Sequence, residues 1–230
     1  MKRFWKSAAE VETDGGFKVE LDGRPIKTPA RAELVVPTKA LAQAIADEWN
    51  ECGETVDPRA MPLTGLANAT VDRVAPDKKA FAAGLARYAE SDLTCYRAEG
   101  PATLVARQAE SWDALLGWAR RRYDVDFATC NGVMHVAQSD ETLRKLGHAV
   151  ASLDAFHLAG LSPLVTIGGS MVAALAVLEK MMPANEAWEA VSLDDRWQME
   201  QWGADAEAEA ALDARRREFL AGARFLELLD

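Results

Sequence analysis

The chain is poor in cysteine, in histidine and in positive charge, and each shortage removes a class of protein. Its 230 residues hold three cysteines, Cys52, Cys95 and Cys130, far apart and with no C-x-x-C spacing. That pattern supplies neither a disulfide framework nor a zinc knuckle, and it fits a reducing compartment. His135, His148 and His157 stand 13 and 9 residues apart, so no pair has the i, i+4 spacing of H-E-x-x-H and no metal site is expected. Lys plus Arg is 26 against 36 Asp plus Glu, a formal charge of −10. Nucleic acid and anionic membrane both require a basic face, so neither is an expected partner. The glycine pair in "TIGGSMVAALA" has no lysine after it for a phosphate loop, and Val172 stands where a G-x-S-x-G elbow needs glycine. The expected role of those glycines is close approach of two helices. The start "MKRFWKSAAEVE" lacks the apolar stretch of a signal peptide and the Arg/Ser-rich character of a transit peptide, so nothing there directs export.

What is present divides into a short β part and a long helical part. "FKVEL" alternates apolar and polar residues, Asp22-Gly23 is a hairpin-turn signal, and Pro25 and Pro29 punctuate further short strands of edge character. From Thr38 the period changes to that of a helix, with Leu41, Ala44, Ile45, Glu48 and Trp49 on one face and Gly53 as a stop. Further helices are expected from Pro62 through Val74, around Phe81 to Tyr88, from Pro101 through Trp118, and after the N-cap candidate Ser139. "YDVDFATCNGVMHVAQ" reads as a hairpin or a connector. The uncharged run Leu158 to Leu178 has the length of a membrane span, yet Pro163 and Gly168-Gly169 interrupt it, so a buried central helix is expected and no membrane insertion. Residues 186–230 carry 12 acidic residues against 5 Arg, interleaved with Trp188, Trp197, Trp202 and Phe219, and read as two acidic helices broken near Trp202-Gly203. The expected class is α+β, a small N-terminal β-sheet module with its connecting helix over 1–60 and a larger all-helical domain over 61–230.

The densest collection of chemistry-bearing side chains is "SDLTCYRAEGP", with Asp92, Cys95, Tyr96 and Arg97. Cys95 has no histidine near it in sequence to make it a nucleophile. Arg97 and Arg107 are instead expected to pair with Asp92 or Asp72 and fix helix register. An enzyme acting through Cys95 or Asp92 in a cleft between the modules is a competing reading, and an acidic regulatory adaptor for a basic partner is another.

Six stretches carry a resemblance: "RFWK", "LDGRPIKTPA", "ALAQAIADEW", "MPLTGLANATVD", "YAESDLTCYRAEGPATLVARQAESWDALLGWA" and "WQMEQWGADAEA". In this order and spacing they cover nearly the whole chain, which resembles the assembly chaperones of the F-type ATP synthase, the F-one ATPase factors that bind its α subunit. The resemblance implies a β module followed by a helical domain, no catalysis and no cofactor. It also implies a partner, the newly made α subunit, whose β-facing surface is shielded without ATP until the catalytic head assembles. Bare apolar surface of that kind drives unwanted association. Carried over, the partner-contact residues are Asp92, Tyr96, Arg97, Arg107, Trp202, Asp205 and Glu207, with Asp205 and Glu207 both available for the family's acidic position after the Trp-Gly pair. A monomer is expected, in the cytoplasm of a bacterium, or in the mitochondrial matrix if the chain is a trimmed organellar form.

Overall fold

The N-terminal residues pair as their alternation demands. In the computed structural model, which describes residues 2–203 and 205–230, β1 (Ala8–Thr13) and β2 (Gly16–Leu21) form an antiparallel hairpin. The short strands β3 (Arg24–Pro25) and β4 (Val35–Val36) both pair antiparallel with β2. Val19 and Leu21 turn inward, while Lys18 and Glu20 meet at 3.1 Å on the other face. The turn after β2 is held by Asp22, whose φ of 48° lies in the left-handed region and whose carboxylate accepts the amides of Lys6 and Ser7.

Helix α1 (Lys39–Glu51) begins where the Thr38 side chain accepts from the Leu41 amide, and it buries Leu41, Ala42, Ile45 and Ala46. Near its end Asn50 accepts from the Ala8 amide at 2.7 Å and donates to the Ala8 carbonyl at 2.9 Å, which satisfies one end of the exposed edge of β1. Helix α2 (Pro62–Ala69) has Met61 at its N-cap, with no side-chain bond of its own. The missing cap comes from α1, because Glu48 accepts the Leu63 amide at 2.7 Å and the amide and hydroxyl of Thr64 at 2.8 and 2.7 Å. The helix expected to run on to Val74 instead widens into a π turn over Thr70–Val74 and a 3₁₀ turn over Ala75–Asp77. Thr70, one residue past α2, bonds its hydroxyl back to the Leu66 carbonyl.

These elements belong to one compact unit, the residues up to Lys78 together with Asp154–Gly160 and Arg224–Asp230. Its core joins Val19, Leu34, Leu41 and Ile45 to Phe225 and Leu228 from the far end of the chain. Gly160 belongs to this unit for a steric reason, since a Cβ there would lie 2.8 Å from a Leu226 methyl.

The second unit comprises Lys79–Leu153 and Leu161–Ala223. It contains α4 (Ala102–Tyr123), α5 (Asp140–Ala151), α7 (Met171–Leu178), α8 (Ala184–Val191) and α9 (Leu193–Trp202), with nearly all of α3 (Lys78–Ala86) and the larger parts of α6 (Ala155–Gly168) and α10 (Ala206–Glu227). Trp112, Leu115, Leu146, Leu164, Met171 and Phe219 are fully buried in it. The α+β class expected from the sequence is the class found. Ser139 caps α5 as its sequence context suggests, accepting from the Thr142 amide.

Two further sequence expectations are corrected here. The uncharged run is not one helix, because Gly169 takes φ +65° and ends α6, and Ser170 starts α7; Pro163 lies inside α6 without ending it. Among the described residues no helix is long and apolar enough to cross a membrane. The acidic C-terminal part holds three helices, since Ser192 also interrupts it, bonding its hydroxyl to the Trp188 carbonyl at 2.7 Å. The stretch around Asn131-Gly132 is a connector whose Cys130–Asn131, β6, pairs in parallel with β5 (Tyr96–Arg97).

Candidate functional site

The polar stretch that drew attention in the sequence divides into an inner and an outer half. Asp92 is fully buried. Its Oδ1 accepts from the Thr94 amide at 3.0 Å, the Thr94 hydroxyl at 2.7 Å and the Ser170 hydroxyl at 2.8 Å, and its Oδ2 accepts the Val172 amide at 2.9 Å. Ser170 in turn accepts from Ala173, so two side chains satisfy the first amides of α7. Burial pushes the Asp92 carboxyl up, and these donors pull it back down. The sequence expected an arginine partner; the structure gives Asp92 hydroxyl and amide partners in the interior, because a helix start supplies the donors an anion needs. Cys95 is also fully buried, and burial together with the Asp92 charge pushes its thiol up to about 12. A thiol held that high is protonated at neutral pH, so nothing in this arrangement supports a nucleophile.

The outer half points the other way. Tyr96 meets His135 Nδ1 through its hydroxyl at 3.1 Å. Arg97 lies over the Trp112 ring at 5.3 Å, donates to the Thr94 carbonyl at 3.1 Å and pairs with Asp113 at 2.8 Å. Its side chain is only 11% exposed, so it serves the junction more than the surface. Asp72, the other expected partner of these arginines, accepts the Ala30 amide instead.

Arg107 and Trp202 lie on a face built by α4 and α9. Arg107 pairs with Glu200 at 2.6 Å and covers the Trp197 ring at 5.0 Å. Gln108 reads both sides of its helix, accepting the Ala98 amide and donating to Asp194 at 2.8 Å, and Trp112 donates its indole N–H to the Ala190 carbonyl at 2.8 Å. These contacts fix α9 against α4 and leave a cleft of about 430 Å³ lined by Pro101, Leu104, Trp197 and Trp202 among others. Trp202 is 79% exposed, a large apolar side chain that the fold itself does not use. Gly203 ends α9 directly after it.

The two acidic candidates differ in what their carboxylates do. Asp205 caps α10, its Oδ1 accepting the amides of Glu207 and Ala208 at 2.8 and 2.9 Å. Glu207 is exposed in the first turn, and among the described residues its carboxylate accepts no such bond. Of the seven candidates, the structure thus brings Arg107 and Trp202 to one face, places Asp205 and Glu207 at the helix start that follows, and keeps Asp92 inside. The sequence reading missed Trp197 and Asp194, whose partners lie 80 to 90 residues away and leave no local pattern. Among the described residues no group of three or more His, Cys, Asp or Glu is placed to hold a metal ion.

Trp202, its indole mostly exposed, thus lines a cleft shared with Pro101, Leu104, Trp197, Asp194, Gln198 and Gln201. Residues 2–120 match the family described as ATP12 chaperone protein, and the chain belongs to that family. The crystal structure of Atp12 from Paracoccus denitrificans superposes with a TM-score of 0.94 at 42% identity, covering 100% of this chain and 98% of that one. An aspartate-to-lysine variant of the Paracoccus protein matches equally well. A mitochondrial atp12 protein of Schizosaccharomyces pombe is 25% identical over 214 residues, 88% of this chain and 74% of its own length.

Proposed function

We propose that the chain is an assembly chaperone of the F-type ATP synthase, holding the free α subunit and covering its β-facing surface without using ATP until the catalytic head forms. The observation that carries this reading is Trp202, 79% exposed beside an apolar cleft in a chain of the ATP12 family. Tryptophan is among the residue types that most often anchor a protein–protein interface. Asp205 and Glu207 follow it closely in the chain, Arg107 holds α9 against α4 through Glu200 and Trp197, and Arg97 pairs with Asp113 of α4. Contact is assigned to Trp202, Arg107 and Glu207; Asp92 acts behind them by holding α7.

The test is co-purification with isolated α subunit in the absence of nucleotide, followed by addition of β subunit. The chain is expected to retain α and to release it to β. Trp202→Ala should weaken retention by about 2 kcal/mol, the scale of an interface hot spot. Recovery of no α subunit by the native chain would sink the reading.

A further inference from the structure

On the other flank of α9 runs a second concavity, a furrow of about 540 Å³ between α4, α8 and α9. It exists because the facing positions are small: Ser111 and Ala114 on α4 and Ala190 on α8 do not fill the seam between their helices. Ala190 and Leu193 form a buried floor, and Met182, half-buried at one end, is an adaptable side chain. Along α4 the lining runs from Arg107 to Ala114, about 10 Å at 1.5 Å per residue, or two helical turns.

The charges on its walls do not cancel. Arg107 is engaged by Glu200 at 2.6 Å, and Arg196 by the carboxylate and the carbonyl of Glu189. Glu110 and Glu186 are exposed in the same furrow, and among the described residues no cation is bonded to them. The furrow therefore presents an apolar floor and two uncompensated carboxylates on its walls.

We infer that this furrow docks an amphipathic helical segment of the client, apolar on one side and bearing arginine or lysine at its margins. The inference rests on the chaperone reading for the identity of the client and on charge complementarity for the chemistry of the segment. A segment about two turns long matches the length of the furrow, and its cations meet Glu110 and Glu186. The same pairing speeds encounter and weakens as salt rises.

The test uses a labelled alanine- and leucine-rich peptide helix with arginines along one face, its glutamate counterpart, and the isolated α subunit. The arginine peptide is expected to bind and the glutamate peptide to fail. Glu110→Lys with Glu186→Lys should weaken binding of the arginine peptide and of the α subunit roughly tenfold, and the two Gln substitutions should weaken it less. Unchanged thermal melting shows that the variants fold, since both side chains are exposed. The proposal is overturned if both peptides bind alike, or if the double Lys variant holds the arginine peptide or the α subunit as tightly as the native chain does. Charge-selective peptide binding at the furrow by a native chain that ignores the α subunit would support the furrow and reject that client.

Discussion

Two aspartates show how residue chemistry is set by surroundings. Asp22 is exposed, and backbone bonds from Ser7 and Lys6 hold its carboxyl below the usual carboxylate range. A lowered folded-state pKa means that the unfolded chain binds the proton more readily, so this stabilisation is present above about pH 4 and is lost as pH falls through the folded value. Asp22→Asn keeps a residue that tolerates the left-handed turn but removes the charge. Acid unfolding of the Asn variant should therefore show a shallower loss of stability below about pH 4 than the native chain; identical acid profiles would contradict it. Asp92 is the opposite case, buried among four donors, with burial pushing its carboxyl up. The amides of Val172 and Thr94 cannot turn into acceptors, so the site favours the carboxylate over a proton-bearing acid. Asp92→Asn places an NH₂ against a donor and should lose about 2 to 3 kcal/mol in urea unfolding at neutral pH. A near-neutral substitution would show that Asp92 carries a proton.

At the scale of elements, side chains from distant helices finish ends that the local sequence leaves open. Glu48 of α1 caps α2, Asp92 completes the start of α7, and Lys145 of α5 donates to the carbonyl and carboxylate of Asp124 at the end of α4. Glu48→Ala removes the side-chain acceptor of the Leu63 and Thr64 amides and leaves them unpaired, a loss of about 2 kcal/mol in chemical denaturation. A change below about 0.5 kcal/mol would mean that water replaces the carboxylate. This cross-element capping separates what was legible in the sequence from what was not. Thr38, Ser139 and Pro101 announced their own helices because cap and helix are neighbours in the chain. The bonds from Ser170 and Val172 to Asp92 join atoms 78 and 80 residues apart in sequence, and periodicity carries no trace of them. The same holds for the candidate face: Trp202 and the acidic residues after it stood out as residue types, but the furrow beside Arg107 arises only where three helices meet.

At the scale of the whole molecule, the order of segments in the chain and their order in space diverge most at the C-terminus. The change of period after Val36 marks where strands give way to helices, and the structure changes there, with α1 starting at Lys39. Nothing local marks Phe225 or Leu228 as part of the core that packs on those strands, because they look like any other apolar residues of an amphipathic helix. Phe225 is fully exposed to no solvent, stacks on Phe156 with ring centroids 6.3 Å apart, and joins Val19 and Leu41 in one cluster. The carbonyl of Leu228 accepts the Thr38 hydroxyl at 2.5 Å, which ties the same segment to the start of α1. Phe225→Ala should therefore destabilise the N-terminal unit by about 3 to 5 kcal/mol, and removal of Arg224–Asp230 should abolish its protection altogether. Amide hydrogen exchange at Val19 in β2 and Leu41 in α1 reads this directly. Fast exchange at both positions in the shortened chain is the expected result, and protection equal to that of the native chain would show that the β module holds its core without the C-terminal segment.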